Sequence, residues 1–195
     1  MSWEIDKKFY LEYGHRVWSQ ELNHELCAIG DTACACRHLH GHSGMLRVFL
    51  KGDDLTRGMV TDFKHLGWMK DFIDKYLDHK MMIDMSDPGF ESIVGYELSP
   101  SVKGSSPFLF KNGVVINLVK APFDSGWIPD MTDLPLMSEH EHELIEGFFF
   151  VNFLPTSENL AKYIFDIATK VMKGTATVSR VEWNETPKSR AIYSA

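Results

Sequence analysis

An α+β domain, with helices packed on one face of an antiparallel sheet, is the fold this sequence predicts. Three observations predict it. Two strand-like runs, over residues 3–17 and from His40 to Leu50, come before any helical pattern. Apolar residues then recur at helical spacing twice, from Phe63 to Leu77 and from Leu160 to Val171. A strand over 175–185 and a short final one to Tyr193 close the chain. The order is strand, strand, helix, long connection, helix, strand, strand. The 195 residues are read as one domain, 1–195, with 81–152 as an insertion between the two helices.

The elements follow from local chemistry. The first strand alternates imperfectly, with Tyr13, His15 and Val17 on one face. Residues 19–35 are a polar, irregular loop carrying Cys27 and Cys34. The second strand runs into Lys51-Gly52-Asp53-Asp54, a turn signal. Asp62 is placed to cap a helix over 63–77 through its carboxylate. Within 81–152, Ser86-Asp87-Pro88-Gly89 and Ser99-Pro100 are turn chemistry. Asn112-Gly113 closes a hairpin between Phe108–Lys111 and Val114–Val119. Thr156 or Ser157 caps the second helix, and Gly174 ends it.

Composition excludes several roles. A net charge of −7 argues against a nucleic-acid partner. The apolar runs, such as Phe148-Phe149-Phe150-Val151, are too short to span a bilayer. The N-terminus lacks the basic-then-apolar build of a signal peptide, and three cysteines are no secreted framework, so a cytoplasmic protein is expected.

Chemistry concentrates in Cys36-Arg37-His38-Leu39-His40-Gly41-His42. On a strand, residues i and i+2 share a face, so His40 and His42 aim the same way, about 6 to 7 Å apart at Cα. Two such imidazoles can bind one metal ion, and His15 in the first strand is the best candidate for a third ligand. Three imidazoles with an open fourth position describe a catalytic zinc rather than a structural one. A second H-x-H, His140 and His142, is flanked by glutamates and reads as a solvated helical start. Asp78-His79 reads either as a polar helix end or as an imidazole acid or base oriented by a carboxylate. Glu185 shares a strand face with Val181 and Trp183. A carboxylate ending an apolar face needs a partner, which makes Glu185 a candidate ligand-binding group.

These residues resemble the 6-pyruvoyltetrahydropterin synthase and 6-carboxytetrahydropterin synthase family. The resemblance rests on Gly14-His15-Arg16, Cys36-x-x-x-His40-Gly41-His42, Gly58-Met59-Val60-x-Asp62-Phe63, Leu77-Asp78-His79, Pro155-Thr156-Ser157-Glu158-Asn159-Leu160-Ala161 and Glu185-Thr186, in the family's order. It implies the tunnelling fold, a four-stranded antiparallel sheet with two helices on one side. It also implies homo-oligomers built from trimers that pair as hexamers, with active sites between subunits. By position, His15, His40 and His42 resemble the Zn2+ ligands, and Cys36 resembles the catalytic cysteine. Asp78 and His79 complete a proton-relay set, and Glu185 resembles the carboxylate that anchors the pterin. Zinc polarises side-chain hydroxyls as a Lewis acid, and a thiol beside that charge has a lowered pKa. The family's substrate, 7,8-dihydroneopterin triphosphate, needs cations for its phosphates; Arg16, Arg37 and Lys80 are close in sequence.

The cysteine spacing bears on the branch. Cys36 stands four residues before His40, as in the carboxytetrahydropterin synthases, while Cys34, six before, fits the animal-type pyruvoyl enzymes. Cys-Arg-His-Leu-His-Gly-His-Ser with Pro-Thr-Ser-Glu looks more like the carboxy branch. That reaction releases acetaldehyde and triphosphate and feeds 7-deazaguanine and queuosine synthesis. The family usually has a short connection where this chain has 81–152.

Overall fold

A computed structural model describes residues 2–22, 34–99, 106–132 and 137–194. Cys27 and Pro100, assigned above to a loop and a turn, lie outside the described residues. The chain is α+β. Among the described residues, ten strands are hydrogen-bonded in the order β10-β9-β2-β1-β3-β8-β7-β6-β5-β4. They are β1 (Trp3–His15), β2 (His40–Gly52), β3 (Lys80–Asp84), β4 (Glu97–Ser99), β5 (Phe108–Lys111), β6 (Val114–Lys120), β7 (Trp127–Pro129), β8 (Phe148–Val151), β9 (Thr177–Thr186) and β10 (Ser189–Ser194). The helices are α1 (Gly67–Tyr76), α2 (Phe90–Val94), α3 (Glu139–Glu146) and α4 (Ser157–Met172). The expected four-stranded sheet with two helices is therefore corrected. Residues 81–152 supply most of six further strands and two further helices.

The chain divides into two compact units. The first comprises residues 1–13, 42–79 and 156–195. Here β2 and β10 both run antiparallel to β9, with Leu46 opposite Trp183 and Val48 opposite Val181. All four of those side chains are fully buried. Helix α4 packs on β9 and β10 through Leu160, Ile164, Ile167, Ala168 and Met172. Its start is the expected one: the Thr156 hydroxyl accepts from the Asn159 N–H. Gly174, just beyond its end, has φ +84°, a left-handed conformation that glycine adopts without strain. Asp62 accepts from the Lys64 N–H, but it caps a short 3₁₀ turn, Phe63–Leu66, that leads into α1.

The second unit comprises residues 14–41 and 80–155. Strands β3 and β8 pair in parallel, with Met81 opposite Phe148, and β4–β5–β6–β7 continue as an antiparallel meander. The Asn112-Gly113 turn joins β5 to β6 as expected, with φ +49° and +84° at its two residues. Ile83, Phe90, Leu109, Ile116, Leu118, Phe148 and Phe150 form the core of this unit. Helix α3 carries the second H-x-H and starts with a full capping box between Ser138 and Glu141, matching the solvated helical start expected there. His140 is fully solvated.

Arg16 leaves the end of β1 to reach Asp87, whose side chain is 1% exposed, at 2.9 Å. The other Asp87 oxygen accepts the Gly89 N–H at 2.7 Å. Arg16→Ala would leave this carboxylate buried and unpaired. We expect a loss of about 3–5 kcal/mol, read as a lower denaturant midpoint for a probe in residues 80–155.

Candidate active site

Three neighbouring strands, β1, β2 and β9, carry the site. His15 ends β1, His40 and His42 open β2, and Glu185 lies near the end of β9. His15 is fully buried, and the other three are partly buried. One ligand atom from each of the four lies within 4.8 Å of those of all the others, so the group could hold a metal ion. The three imidazoles singled out in the sequence, His15, His40 and His42, all fall in this group.

The outer faces of two rings settle their tautomers. His15 Nδ1 lies 2.6 Å from the Pro155 carbonyl oxygen, and His40 Nδ1 lies 2.8 Å from that of His38. A carbonyl only accepts, so both Nδ1 atoms carry protons. A neutral imidazole has one N–H, so both Nε2 atoms present lone pairs. They face each other at 3.1 Å. Lone pairs that close need a positive charge between them. A third imidazole and a carboxylate at the same place favour a metal ion over a proton. Two nitrogens bound at about 2.0–2.1 Å to one tetrahedral ion stand roughly 3.3 Å apart, close to the spacing found. Carbonyls holding the outer nitrogens are also the usual support for ligating histidines. Residue patterns did not announce the Pro155 carbonyl, since any residue offers one. Pro155 directly precedes the α4 cap, so the helix start fixes it in place.

Tyr13 forms a wall of the site. Its ring centroid is 5.6 Å from that of His42, and its hydroxyl accepts the buried Trp183 indole N–H at 2.9 Å. Burial pushes the Tyr13 phenol far above its ordinary range and the Glu185 charge adds to this, while the Trp183 bond opposes them. The phenol therefore stays protonated at physiological pH. Gly44 makes room for it: a Cβ there would meet Tyr13 Cε1 at 2.8 Å.

Asp78 and His79 form a separate pair. The Asp78 carboxylate contacts His79 Nδ1 at 3.0 Å and accepts the Glu12 N–H at 2.7 Å. The His79 N–H donates to the Glu12 carbonyl. Partial burial works to raise the Asp78 carboxyl, but the Glu12 N–H and His79 outweigh it and hold it below its ordinary range. His79 has φ +56°, uncommon for a non-glycine residue, and its side chain is 78% exposed. The Asp78 N–H donates to the Ile73 carbonyl at 2.8 Å, so the pair closes the end of α1 and also presents an exposed imidazole beside a carboxylate.

Cys36 lies in the 3₁₀ turn Ala35–Arg37, which Cys34 precedes as cap residue. Both cysteines are partly buried. The Cys36 carbonyl accepts the Val17 N–H at 2.8 Å, tying the turn to the end of the His15 segment. Cys36 is not one of the four clustered groups. Of the cations near in sequence, Arg16 is held by Asp87 and Lys80 donates to the Glu146 carbonyl, while Arg37 is exposed.

Fold and site together describe an α+β protein with a histidine-centred group that could hold a metal ion. Residues 4–195 match the family described as 6-pyruvoyl tetrahydropterin synthase. A 6-carboxy-5,6,7,8-tetrahydropterin synthase from Aquifex aeolicus is 30% identical over 203 aligned positions, covering 99% of this chain and 98% of that protein. An uncharacterised protein from Wolinella succinogenes has a solved structure that is 39% identical, with a TM-score of 0.83, covering 100% of this chain and 98% of that one. The 6-pyruvoyl tetrahydropterin synthase of Caenorhabditis elegans shares the fold at 19% identity and a TM-score of 0.52, covering 100% and 96% of the two chains. The chain belongs to the 6-pyruvoyl tetrahydropterin synthase family, a family of enzymes.

Proposed function

We propose that this enzyme is a zinc-dependent carbon–carbon lyase. Its substrates are 7,8-dihydroneopterin triphosphate and one water, and its products are 6-carboxy-5,6,7,8-tetrahydropterin, acetaldehyde and triphosphate. The observation that carries the metal part is the pair of histidine Nε2 lone pairs facing each other at 3.1 Å beside His42 and Glu185. The branch is supported by the four-residue step from Cys36 to His40 and by the likeness to the Aquifex enzyme. That match runs nearly end to end, so the long 81–152 connection is matched with the rest.

His15, His40 and His42 hold the zinc, which when bound polarises the hydroxyls of the substrate side chain. Cys36 takes a proton from the substrate. His79, oriented by Asp78, returns one. Glu185 anchors the pterin, its two oxygens accepting from the ring's amide and amino N–H groups. Tyr13, as a neutral phenol, closes the wall beside His42. We further propose that the enzyme works as a trimer-based homo-oligomer in the cytoplasm, in 7-deazaguanine synthesis. Among the described residues, no helix is long and apolar enough to cross a membrane.

Incubating the zinc-loaded protein with 7,8-dihydroneopterin triphosphate should release acetaldehyde in step with triphosphate. Triphosphate release with 6-pyruvoyltetrahydropterin and no acetaldehyde would assign the pyruvoyl reaction instead, and would direct attention to Cys34.

A further inference from the structure

We propose that Glu185 serves this site twice. In the pterin-free protein its carboxylate is a fourth metal ligand, and pterin binding draws it away to open that position. The inference rests on the three-histidine metal reading above.

Geometry is the starting point. Glu185 Oε1 stands 3.4 Å from His42 Nε2. Nitrogen and oxygen donors sharing a tetrahedral ion at about 2.0–2.2 Å stand roughly 3.3–3.6 Å apart, so this pair is spaced as co-ligands are. The backbone brings Glu185 there: β9 runs antiparallel to β2 with Asn184 opposite Met45, which carries the next residue of β9 toward the His42 end of β2. The carboxylate lies within the same 4.8 Å group as His15 and His40.

A site closed by three imidazoles and a carboxylate has the ligand count of a structural zinc, and it offers substrate no vacancy. Exposure separates Glu185 from His15 and His42. His15 is fully buried and the His42 side chain is 16% exposed, whereas that of Glu185 is 25% exposed. A solvent-reachable carboxylate is the member of the set that an incoming molecule can engage. A pterin offers paired N–H donors, which suit both carboxylate oxygens at once. Binding the ring would thus release the metal's fourth position when the side-chain hydroxyls arrive. Without pterin, the carboxylate keeps water off the ion.

The test uses the full chain, stripped of metal and titrated with Co2+, with neopterin as the pterin probe. Visible absorption reads coordination, and competition with a chromophoric chelator reads affinity. The wild type should show a four-coordinate cobalt spectrum. E185Q should give a different spectrum and bind Co2+ at least about tenfold more weakly. Neopterin should move the wild-type spectrum toward that of E185Q. Matching spectra and affinities in wild type and E185Q, with cobalt lost only in H42A, would overturn the proposal and leave the histidine site standing. Failure of the wild type itself to bind cobalt would overturn both. Circular dichroism confirms that each variant is folded.

Discussion

Cys36→Ala is expected to lower kcat by about 10²–10⁴-fold, the usual contribution of a positioned proton-transfer group, with zinc content unchanged. The two halves of that result come from different observations. Cys36 sits in a turn that its own carbonyl ties to the Val17 N–H, so the backbone that carries the thiol is fixed in place. It is not among the four groups at metal-ligand spacing, so its loss should not strip the ion. Cys34→Ala is the comparator: it removes a neighbouring thiol of similar burial from the same turn. A large loss there with little in Cys36→Ala would transfer the role to Cys34. Acetaldehyde release under saturating substrate and metal analysis of each variant check the outcome.

His40→Ala should cost more than 100-fold in zinc retention, beyond the range seen when only an outer partner of a ligand is removed, and activity should fall with it. His40 is the informative choice. Its Nε2 faces that of His15, and it shares a strand face with His42. It is also partly exposed, so its removal leaves no buried cavity. His15 is fully buried, and the same substitution there would confound metal loss with lost packing. Chelator competition at fixed pH gives the affinity, and an unchanged denaturation midpoint for the metal-free forms shows that the fold survived.

What could be read from residues follows physical lines. Strand β2 was legible because H-x-H fixes a face and the following apolar run fixes a strand. Helix α4 was legible because its stripe, cap and terminal glycine agree. The Asn112-Gly113 hairpin announced itself through turn chemistry. Strand β8 was not legible: all four of its residues, Phe148 to Val151, are buried, so no alternation marks it. Strand β3 is five residues long and could pass for the tail of the preceding helix. At the site, ligand types and spacing were visible in the chain, but two things were not. One is the Pro155 carbonyl that orients His15. The other is the approach of Glu185 to His42, which depends on the β2–β9 register.

The parallel pairing of β3 with β8 bears on how the molecule is made. Met81 lies opposite Phe148, and the intervening hairpins must all be synthesised before that ladder can zip. On a ribosome, β3 emerges long before its β8 partner, and one side of it stays open meanwhile. Closing so wide a chain loop loses entropy before any contact repays it, which makes this a natural late step. Until then Met82 and Ile83, both buried in the finished protein, are a sticky edge. Slower translation across residues 85–147 would lengthen that exposure, and yield rather than catalysis would be the first property to suffer.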